Sequence, residues 1–293
     1  MIIVKLIGGL GNQMFQYACG KALAMKHGVE LKVDLSDLEK DPGAAYTKRH
    51  YELHVFAAQI NIATKEEVRP FYKGTDQALV RFFKRTFPSL FSHLLVNERG
   101  HLFQEDVVSY PPNTYLNGYW QHENYFKQIR SQLLQDFTPA NEMPSDLHAT
   151  RDAILAGNSV SIHVRRGDYV TLSSAGAFHG VCSPDYYKKA LETIQSKQEN
   201  IRVFVFSDDP EWCRLNLNLH PSTQFIRHAH HAAWDLQLMR LCKHQIIANS
   251  SFSWWAAWLN EHAGKCVMAP EFWFANTKSS ELGILPKDWY IVA

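Results

Sequence analysis

The sequence predicts an α/β protein in which parallel sheets are covered by helices on both faces. Three observations support this fold class. The chain opens with a strand, a glycine-rich turn, a helix and a second strand. In its second half, short apolar segments alternate with longer segments of helical periodicity, as in parallel sheets with helical crossovers. Pro139 and Pro144 mark a polar stretch between the halves. We therefore expect two domains, residues 1–145 and 146–293.

The predicted N-terminal domain begins with a β-loop-α-β unit. We predict strands at 2–6 and 29–33, with the glycine-rich turn 8–11 and a helix at 12–26 between them. Residues 35–112 are less regular, although a basic and aromatic segment at 81–85 leads into an apolar, helix-like run ending at residue 95. A strand at 114–118 and a helix at 122–137 complete the domain.

The predicted C-terminal domain alternates more regularly. Strands are predicted at 159–164, 202–206, 223–226, 245–248 and 266–268, and helices at 185–197, 211–217, 232–242 and 252–261. Ligands of parallel sheets bind where the strands end. Three polar loops follow apolar strands and are therefore candidate binding segments: HVRRGDY at 163–169, FSDDP at 206–210 and ANSSFSW at 248–254.

Composition excludes several other classes of protein. The chain has 293 residues, of which 46% are hydrophobic and 20% charged, as expected for a globular protein with a core. A net charge of +1 gives no general attraction to nucleic acid. Neither a signal peptide nor a transmembrane stretch is apparent. The five cysteines form no CxxC pair, so we expect reduced thiols in a cytoplasmic protein.

The segment HVRRGD at 163–168 carries the strongest chemical signal. Arg165 and Arg166 lie at a strand end beside Gly167 and Asp168. A guanidinium has a permanent charge and a planar fork that matches phosphate oxygens. The pattern therefore indicates binding of an oxyanion or of a diphosphate, whose developing charge the arginines would stabilise if it leaves. The alternative is a surface loop with an Arg–Asp ion pair.

The N-terminal glycines only partly match a dinucleotide fingerprint. In the GxGxxG frame that starts at Gly9, Met14 occupies the third glycine position. Asp34 is the one acidic residue at the expected distance. The glycines still allow a ligand to approach the backbone at a helix N-terminus, although a tight βα turn explains them equally well.

The other two loops carry weaker signals. Residues 249–253 lie between a strand and a helix, where they can hold phosphate or ribose or simply cap the helix. Asp208 and Asp209 suit a ribose or base contact, or a helix start. Because no other acid or histidine near them has ligand spacing, we expect no metal site there. We predict that the tryptophans of the helix at 252–261 belong to the core.

Four segments occur in a specific order along the chain: GGLGNQMFQYA at 8–18, HVRRGDY at 163–169, FSDD at 206–209 and ANSSFSWW at 248–255. Together they resemble glycosyltransferase family 11, the α-1,2-fucosyltransferases. The resemblance extends from the first strand to about residue 270, and the chain is similar to the bacterial members, which lack the membrane anchor of the animal enzymes.

This resemblance implies a GT-B-like fold with two facing Rossmann-like halves, in which residues 1–145 lie on the acceptor side and residues 146–293 bind the donor. It implies an inverting transfer of L-fucose from GDP-β-L-fucose to the 2-hydroxyl of a terminal β-galactoside. It implies no metal and no other cofactor. The acceptor would belong to a bacterial surface glycan such as an O-antigen repeat.

The resemblance also assigns residues. Arg165 and Arg166 match the arginines that hold the donor pyrophosphate, and His163 and Asp168 complete that motif. The other donor-binding residues implied are Gly9, Gly11, Asn12, Gln13, Asp208, Asp235, Asn249, Ser250, Ser251, Phe252 and Ser253.

The general base stays open at this stage. Asp168 is the first candidate, but neighbouring arginines would lower its pKa and make it a poor base, so that it can instead orient Arg165 or Arg166. His163 is the second candidate. An oxocarbenium-like transition state needs little help from a base.

Three alternative functions and two further expectations accompany this interpretation. The chain can be a GT-B-like transferase of another nucleotide sugar, a non-catalytic carbohydrate- or nucleotide-binding protein, or a Rossmann oxidoreductase, which the absent third glycine disfavours. Residues 120–123 are expected near the acceptor site. The basic aromatic segment at 81–95 suits peripheral contact with a membrane that carries a lipid-linked acceptor, or else packs in the core.

Overall fold

A computed structural model describes residues 1–41, 43, 47–72, 82, 86–87, 93–167, 170 and 180–293. The chain forms two compact units. Met1–Gly43 and Lys48–Ala140 form the N-terminal unit, and Asn141–Ala293 make up nearly all of the C-terminal unit. Each unit contains a parallel sheet with helices, so the predicted GT-B-like α/β class is confirmed.

The N-terminal unit is built on a five-stranded sheet in the order β3-β2-β1-β5-β4, in which every neighbouring pair is parallel. Its strands are β1 (Ile2–Lys5), β2 (Leu31–Asp34), β3 (Asn61–Ile62), β4 (Leu94–Asn97) and β5 (Thr114–Asn117). The helices are α1 (Leu10–His27), α2 (Lys65–Val68) and α3 (Arg130–Asp136). The central position of β1 places the loop that follows it in the middle of one edge of the sheet.

Helix α1 owes its limits to glycines at both ends. Gly9 is its N-cap, and Gly28 ends it in the left-handed conformation, with φ of 61°. The Gly28 amide donates to the carbonyls of Ala24 and Met25, which satisfies two of the open carbonyls at the helix end. The helix buries most of its length against the sheet, so the glycine loop before it is held firmly at the end of β1.

The C-terminal unit has a six-stranded sheet in the order β13-β10-β9-β6-β7-β8, again with parallel neighbours. Its strands are β6 (Asn158–Val164), β7 (Ile201–Ser207), β8 (Gln224–Phe225), β9 (His244–Ile246), β10 (Val267–Pro270) and β13 (Tyr290–Val292), and a small hairpin joins β11 (Phe272–Phe274) to β12 (Thr277–Lys278). The helices are α4 (His148–Leu155), α5 (Pro184–Gln195), α6 (Pro210–Asn216), α7 (Ala233–Leu241), α8 (Ser251–Leu259) and α9 (Ser279–Leu282).

The core of the C-terminal unit explains why its pattern was readable from the sequence. Six of the seven residues of β6 are buried, as expected for a central parallel strand covered on both faces. Trp254, Trp255 and Trp258 of α8 are also buried, which confirms that they belong to the core. The indole nitrogen of Trp254 donates to the carbonyl of Ile284 at 2.9 Å, so the polar atom of this buried ring is satisfied.

The structure corrects two predictions in the less regular region. The apolar run that we predicted as a helix up to residue 95 includes β4, where Leu94 and Leu95 pair with Thr114 and Tyr115 of β5. Most of the basic aromatic segment lies outside the described residues. The predicted helix at 122–137 is α-helical only from Arg130, because short 3-10 turns precede it. The first error concerns a short strand, whose conformation depends on sheet pairing more than on local pattern.

The composition also predicted reduced thiols and no transmembrane stretch. All five cysteines are free thiols, and four of them are buried. Within the described parts of the chain, no helix has the length and apolar character needed to cross a bilayer.

Candidate active site

Three predicted loops begin at the same edge of the C-terminal sheet. Strands β9, β6 and β7 are neighbours in the sheet, and both pairs are parallel. Because the carboxyl ends of parallel strands point the same way, the segments after Val164, Ser207 and Ile246 all start at this edge. The topology therefore brings together the three segments that the sequence had singled out.

Arg165 is fixed by the first aspartate that follows β7. Its Nη1 lies 2.9 Å from Oδ2 of Asp208, and the other carboxylate oxygen, Oδ1, accepts the backbone N–H of Arg166 at 2.9 Å. One carboxylate thus holds both a guanidinium and the backbone of the arginine loop. Both side chains are 26% exposed, so they are half-buried at an accessible edge.

Arg166 is held by a second aspartate and by an aromatic ring. Its Nε lies 3.3 Å from Oδ2 of Asp209, and its guanidinium carbon lies 3.7 Å from the centroid of the Trp212 ring. Asp209 also caps α6 by accepting the backbone N–H of Trp212 at 3.2 Å. The ion pair uses the inner nitrogen of Arg166, and therefore the terminal nitrogens Nη1 and Nη2 take no part in this pair.

The arrangement assigns roles to the aspartates. Sequence reasoning expected Asp208 to contact the nucleoside, whereas in the structure both of its oxygens are occupied by the arginine loop. Gly167 contributes space, because a Cβ atom there would lie 2.5 Å from Oδ2 of Asp208. Two guanidinium groups are thus held in place before any ligand binds, as an electrostatic site requires.

His163 lies beneath the arginines at the end of β6. It is buried, its Nδ1 has no hydrogen-bond partner among the described residues, and its ring packs 5.5 Å from the Phe252 ring. Burial and the nearby charge of Arg165 lower the pKa of His163 to about 3. A neutral imidazole with so low a pKa is a weak proton acceptor at neutral pH, which argues against His163 as the general base.

The lowered pKa of His163 predicts how stability depends on pH. The folded chain keeps this ring neutral down to a pH of about 3, whereas the unfolded chain takes up a proton below about 6.5. The stability from this pKa difference is complete above the unfolded pKa and is lost as the pH falls. On acidification from about pH 7.5 to about pH 5.5, this difference should lower the unfolding free energy of the wild type by about 1.4 kcal/mol. The His163→Gln variant has no such group and should lose about 1.4 kcal/mol less than the wild type over the same range.

Urea unfolding at the two pH values checks this result. Of the eight tryptophans, only Trp120 lies outside the C-terminal unit, so their fluorescence reports mainly on the unit that contains His163. An equal loss of stability on acidification in the wild type and in His163→Gln would contradict the prediction.

The serine loop caps α8. Oγ of Ser250 accepts the backbone N–H of Phe252 at 3.3 Å, and Oγ of Ser253 donates to the carbonyl of Ser250 at 3.3 Å. The side-chain nitrogen of Asn249 donates to the carbonyls of Gly180 and Trp273. The capping alternative is therefore realised for Ser250, and Asn249 stabilises the backbone around it. Ser251 and Phe252 are only partly buried. The Phe252 ring packs against the His163 ring and so connects this loop with the end of β6.

Asp235 pairs with His228, which lies between β8 and α7. Nε2 of His228 lies 2.8 Å from Oδ1 of Asp235, and this hydrogen bond raises the pKa of His228. Nδ1 of His228 accepts the backbone N–H of His230 at 3.2 Å. The histidines thus order the segment between β8 and α7.

The glycine loop of the N-terminal unit is stabilised by amide side chains. Nε2 of Gln13 donates to the carbonyls of Gly8 and His50, and its Oε1 accepts the backbone N–H of Glu52. Oδ1 of Asn12 accepts a hydrogen bond from Gln121 at 2.8 Å. Gln13 is fully buried, so its role in the described structure is to hold the loop. The backbone at Gly9 lies close to a guanidinium, since a Cβ atom there would be 3.6 Å from Nη1 of Arg49.

Asp168, which the sequence predicts as a site residue, lies outside the described residues. Trp212 was not predicted, although an aromatic residue in the first helical turn after FSDDP was a signal that could have revealed it.

Known protein families identify the chain. The model of the family described as "Glycosyl transferase family 11" matches residues 1–293. The chain belongs to this family. It is therefore a glycosyltransferase, and its arginine and aspartate cluster lies within the matched residues.

Curated relatives of the transferase include two proteins of Escherichia coli. An alpha-1,2-colitosyltransferase is 34% identical, and the alignment covers 99% of this chain and 98% of the relative. The O-antigen biosynthesis glycosyltransferase WbnK is 32% identical, with 94% and 96% covered. Among solved structures, the fucosyltransferase NodZ from Bradyrhizobium matches with a TM-score of 0.47 and 14% identity over 87% of this chain and 91% of that chain.

Proposed function

We propose that this transferase moves L-fucose from GDP-β-L-fucose to the 2-hydroxyl of a terminal β-galactoside, with inversion and without a metal. The observation that carries the proposal is the pair Arg165 and Arg166 at the end of β6, each held by an aspartate that follows β7. Two fixed guanidinium groups provide the charge and geometry that a pyrophosphate needs.

The chemistry follows from where charge develops. When the bond between fucose and GDP breaks, the electron pair of that bond goes to the β-phosphate of GDP. Prepositioned guanidinium groups bind that growing charge more tightly in the transition state than in the ground state, which lowers the barrier. In a single displacement the acceptor hydroxyl attacks the opposite face of the sugar and loses its proton. Asp168 is the candidate carboxylate of the arginine loop. Its main proposed role is to hold the arginines in position, and the alternative role is to act as the general base.

A second donor is favoured by one relative. The relative at 34% identity is named a colitosyltransferase. Colitose is L-fucose without its 3-hydroxyl. A site that hydrogen-bonds a substrate hydroxyl rejects the analogue lacking it by about 10⁴-fold or more, whereas a site without that contact discriminates weakly. Donor choice is thus decided by contacts with one hydroxyl group.

The test is transfer from GDP-fucose, GDP-colitose, UDP-galactose and CMP-sialic acid to a panel of β-galactosides, in buffer that contains EDTA. We expect product from GDP-fucose only, with a new α-1,2 linkage by NMR. Activity that is lost in EDTA and restored by manganese would contradict metal independence. Preferred turnover of GDP-colitose would reassign the donor, and GDP binding without turnover of any donor would favour a non-catalytic binding protein.

The setting of the reaction is part of the proposal. A relative at 32% identity is named for O-antigen biosynthesis, which fits an acceptor that is a bacterial glycan repeat on a lipid carrier. Peripheral contact with a membrane through residues 81–95 remains a prediction.

A further inference from the structure

An unusual turn follows β5 in the N-terminal unit. Tyr119 is 39% exposed, while Gly118 and Trp120 on either side are buried. Trp120 adopts the left-handed conformation, with φ of 56°. This conformation is uncommon for a bulky residue and persists only where the surroundings impose it.

Glu98, which directly follows β4, imposes this conformation. Its Oε2 accepts the backbone N–H of Tyr119 at 2.6 Å, and its Oε1 accepts the backbone N–H of Trp120 at 2.9 Å. Burial raises the pKa of Glu98 above its usual value, although the hydrogen bonds from the two backbone N–H groups act in the opposite direction. A Cβ atom at Gly118 would lie 2.3 Å from the Cβ of Glu98, so the close approach needs glycine.

The turn also lies beside the glycine loop. Strands β1 and β5 are parallel neighbours, so their carboxyl ends share one edge of the sheet. Gln121, two residues after Tyr119, donates to Asn12 at 2.8 Å. Burial raises the pKa of Tyr119, and the negative charges of Asp37, after β2, and of Glu98 raise it further. The backbone of Tyr119, a residue that is partly exposed, is thus held at the edge where ligands of parallel sheets bind.

We propose that the Gly118–Trp120 turn is the acceptor platform of this transferase, with the Tyr119 ring stacking on the apolar face of the terminal neutral hexose and Glu98 acting as its positioning residue. The inference rests on the proposed function and adds the residues that recognise the acceptor. A galactoside has one face of C–H groups and a rim of hydroxyls. It therefore fits a rigid aromatic surface bordered by carboxylate and amide side chains.

The same geometry excludes the rest of the turn from direct contact. Trp120 is fully buried and packs edge-on against Tyr125 at 5.8 Å, so it supports the turn from below. The sequence expectation that Trp120 itself lines the acceptor site is therefore replaced by Tyr119.

The experiment measures binding of methyl β-lactoside by saturation-transfer NMR, with GDP affinity by calorimetry, for the wild type and matched variants. Tyr119→Ala should weaken lactoside binding by about tenfold, the upper range for a lost aromatic contact. Tyr119→Phe retains the ring and should bind like the wild type. Glu98→Ala should match Tyr119→Ala, and Glu98→Gln should recover part of the affinity. GDP affinity should not change in any of them.

Tyr290→Ala is the control, because Tyr290 is an exposed tyrosine on β13 of the other unit, with 46% exposure. Unchanged lactoside binding by Tyr119→Ala would overturn the inference alone, and so would a Tyr119→Phe variant as weak as Tyr119→Ala. A wild type that binds GDP but no galactoside would overturn both the platform and the galactoside acceptor. If Glu98→Ala loses lactoside binding and also melts at a lower temperature, the loss can come from partial unfolding. The Glu98→Gln variant decides that case, because the proposal requires it to recover binding.

Discussion

Replacement of Arg165 or Arg166 with alanine is expected to reduce kcat/KM for the donor by about 10²-fold or more. Under the proposed function, each guanidinium would contribute a charge-assisted contact that strengthens as the leaving pyrophosphate gains charge, as do the donors of an oxyanion hole. In the structure both groups are already paired and half-buried, so little reorganisation is needed on binding. Their removal therefore takes away a prepositioned interaction, and water in the same place would stabilise the leaving group less well.

Lysine should not restore the lost activity at Arg165. The planar fork of arginine pairs with Asp208 and has further N–H donors for a phosphate oxygen, whereas an ammonium is a point charge with a different reach. Arg166→Lys should also lose the stacking on Trp212. Steady-state kinetics at varied donor concentration check both variants.

Arg214→Ala is a suitable control, because Arg214 forms an exposed ion pair with Glu211 on α6. Its kinetics should match those of the wild type, since exposed ion pairs contribute little. Near-normal rates in both Arg165→Ala and Arg166→Ala would reject the assignment of the pyrophosphate site.

Asp208→Asn is expected to give the second-largest effect. Asparagine has nearly the same shape, but it loses the charge and one of the two acceptor oxygens that hold Arg165 and the backbone of Arg166. Disorder of the arginine loop should weaken GDP binding by about tenfold, in line with the loss of a hydrogen bond to a charged group. The maximal rate should fall as well, because the transition state uses the same arginines.

Calorimetric GDP titration beside transfer kinetics separates the possible roles of Asp208. Asp152→Asn is the matched control, because Asp152 pairs with Arg151 on the exposed side of α4. If Asp208→Asn binds GDP like the wild type while its rate falls by several orders of magnitude, Asp208 acts on the reacting atoms and does not simply brace the arginines.

Local pattern was sufficient to predict five of the six strands of the C-terminal sheet, β13 being missed, and to single out the polar segments after β6, β7 and β9. Strand β6 was predictable because the β-branched residues Val160, Ile162 and Val164 alternate with Ser159, Ser161 and His163, and six of its seven residues are buried. The two adjacent arginines were identifiable from residue type alone, but the sequence did not show that each of them pairs with an aspartate that follows β7. Strand β4 was not predictable, since its pairing with β5 decides its conformation, and the 3-10 turns before α3 were also missed.

The sequence by itself determined the α/β class, the family and the segments that carry polar chemistry, because these depend on residue type and on spacing along the chain. Only the tertiary structure decided the roles within those segments. It placed Asp208 and Asp209 on the arginines, stacked Trp212 on Arg166, and buried His163, which lowers the pKa of that ring. It also joined Glu98 to the Tyr119 turn across 21 residues of sequence. Contacts and pKa values arise from distances in space between residues on different strands, and spacing along the chain does not specify those distances.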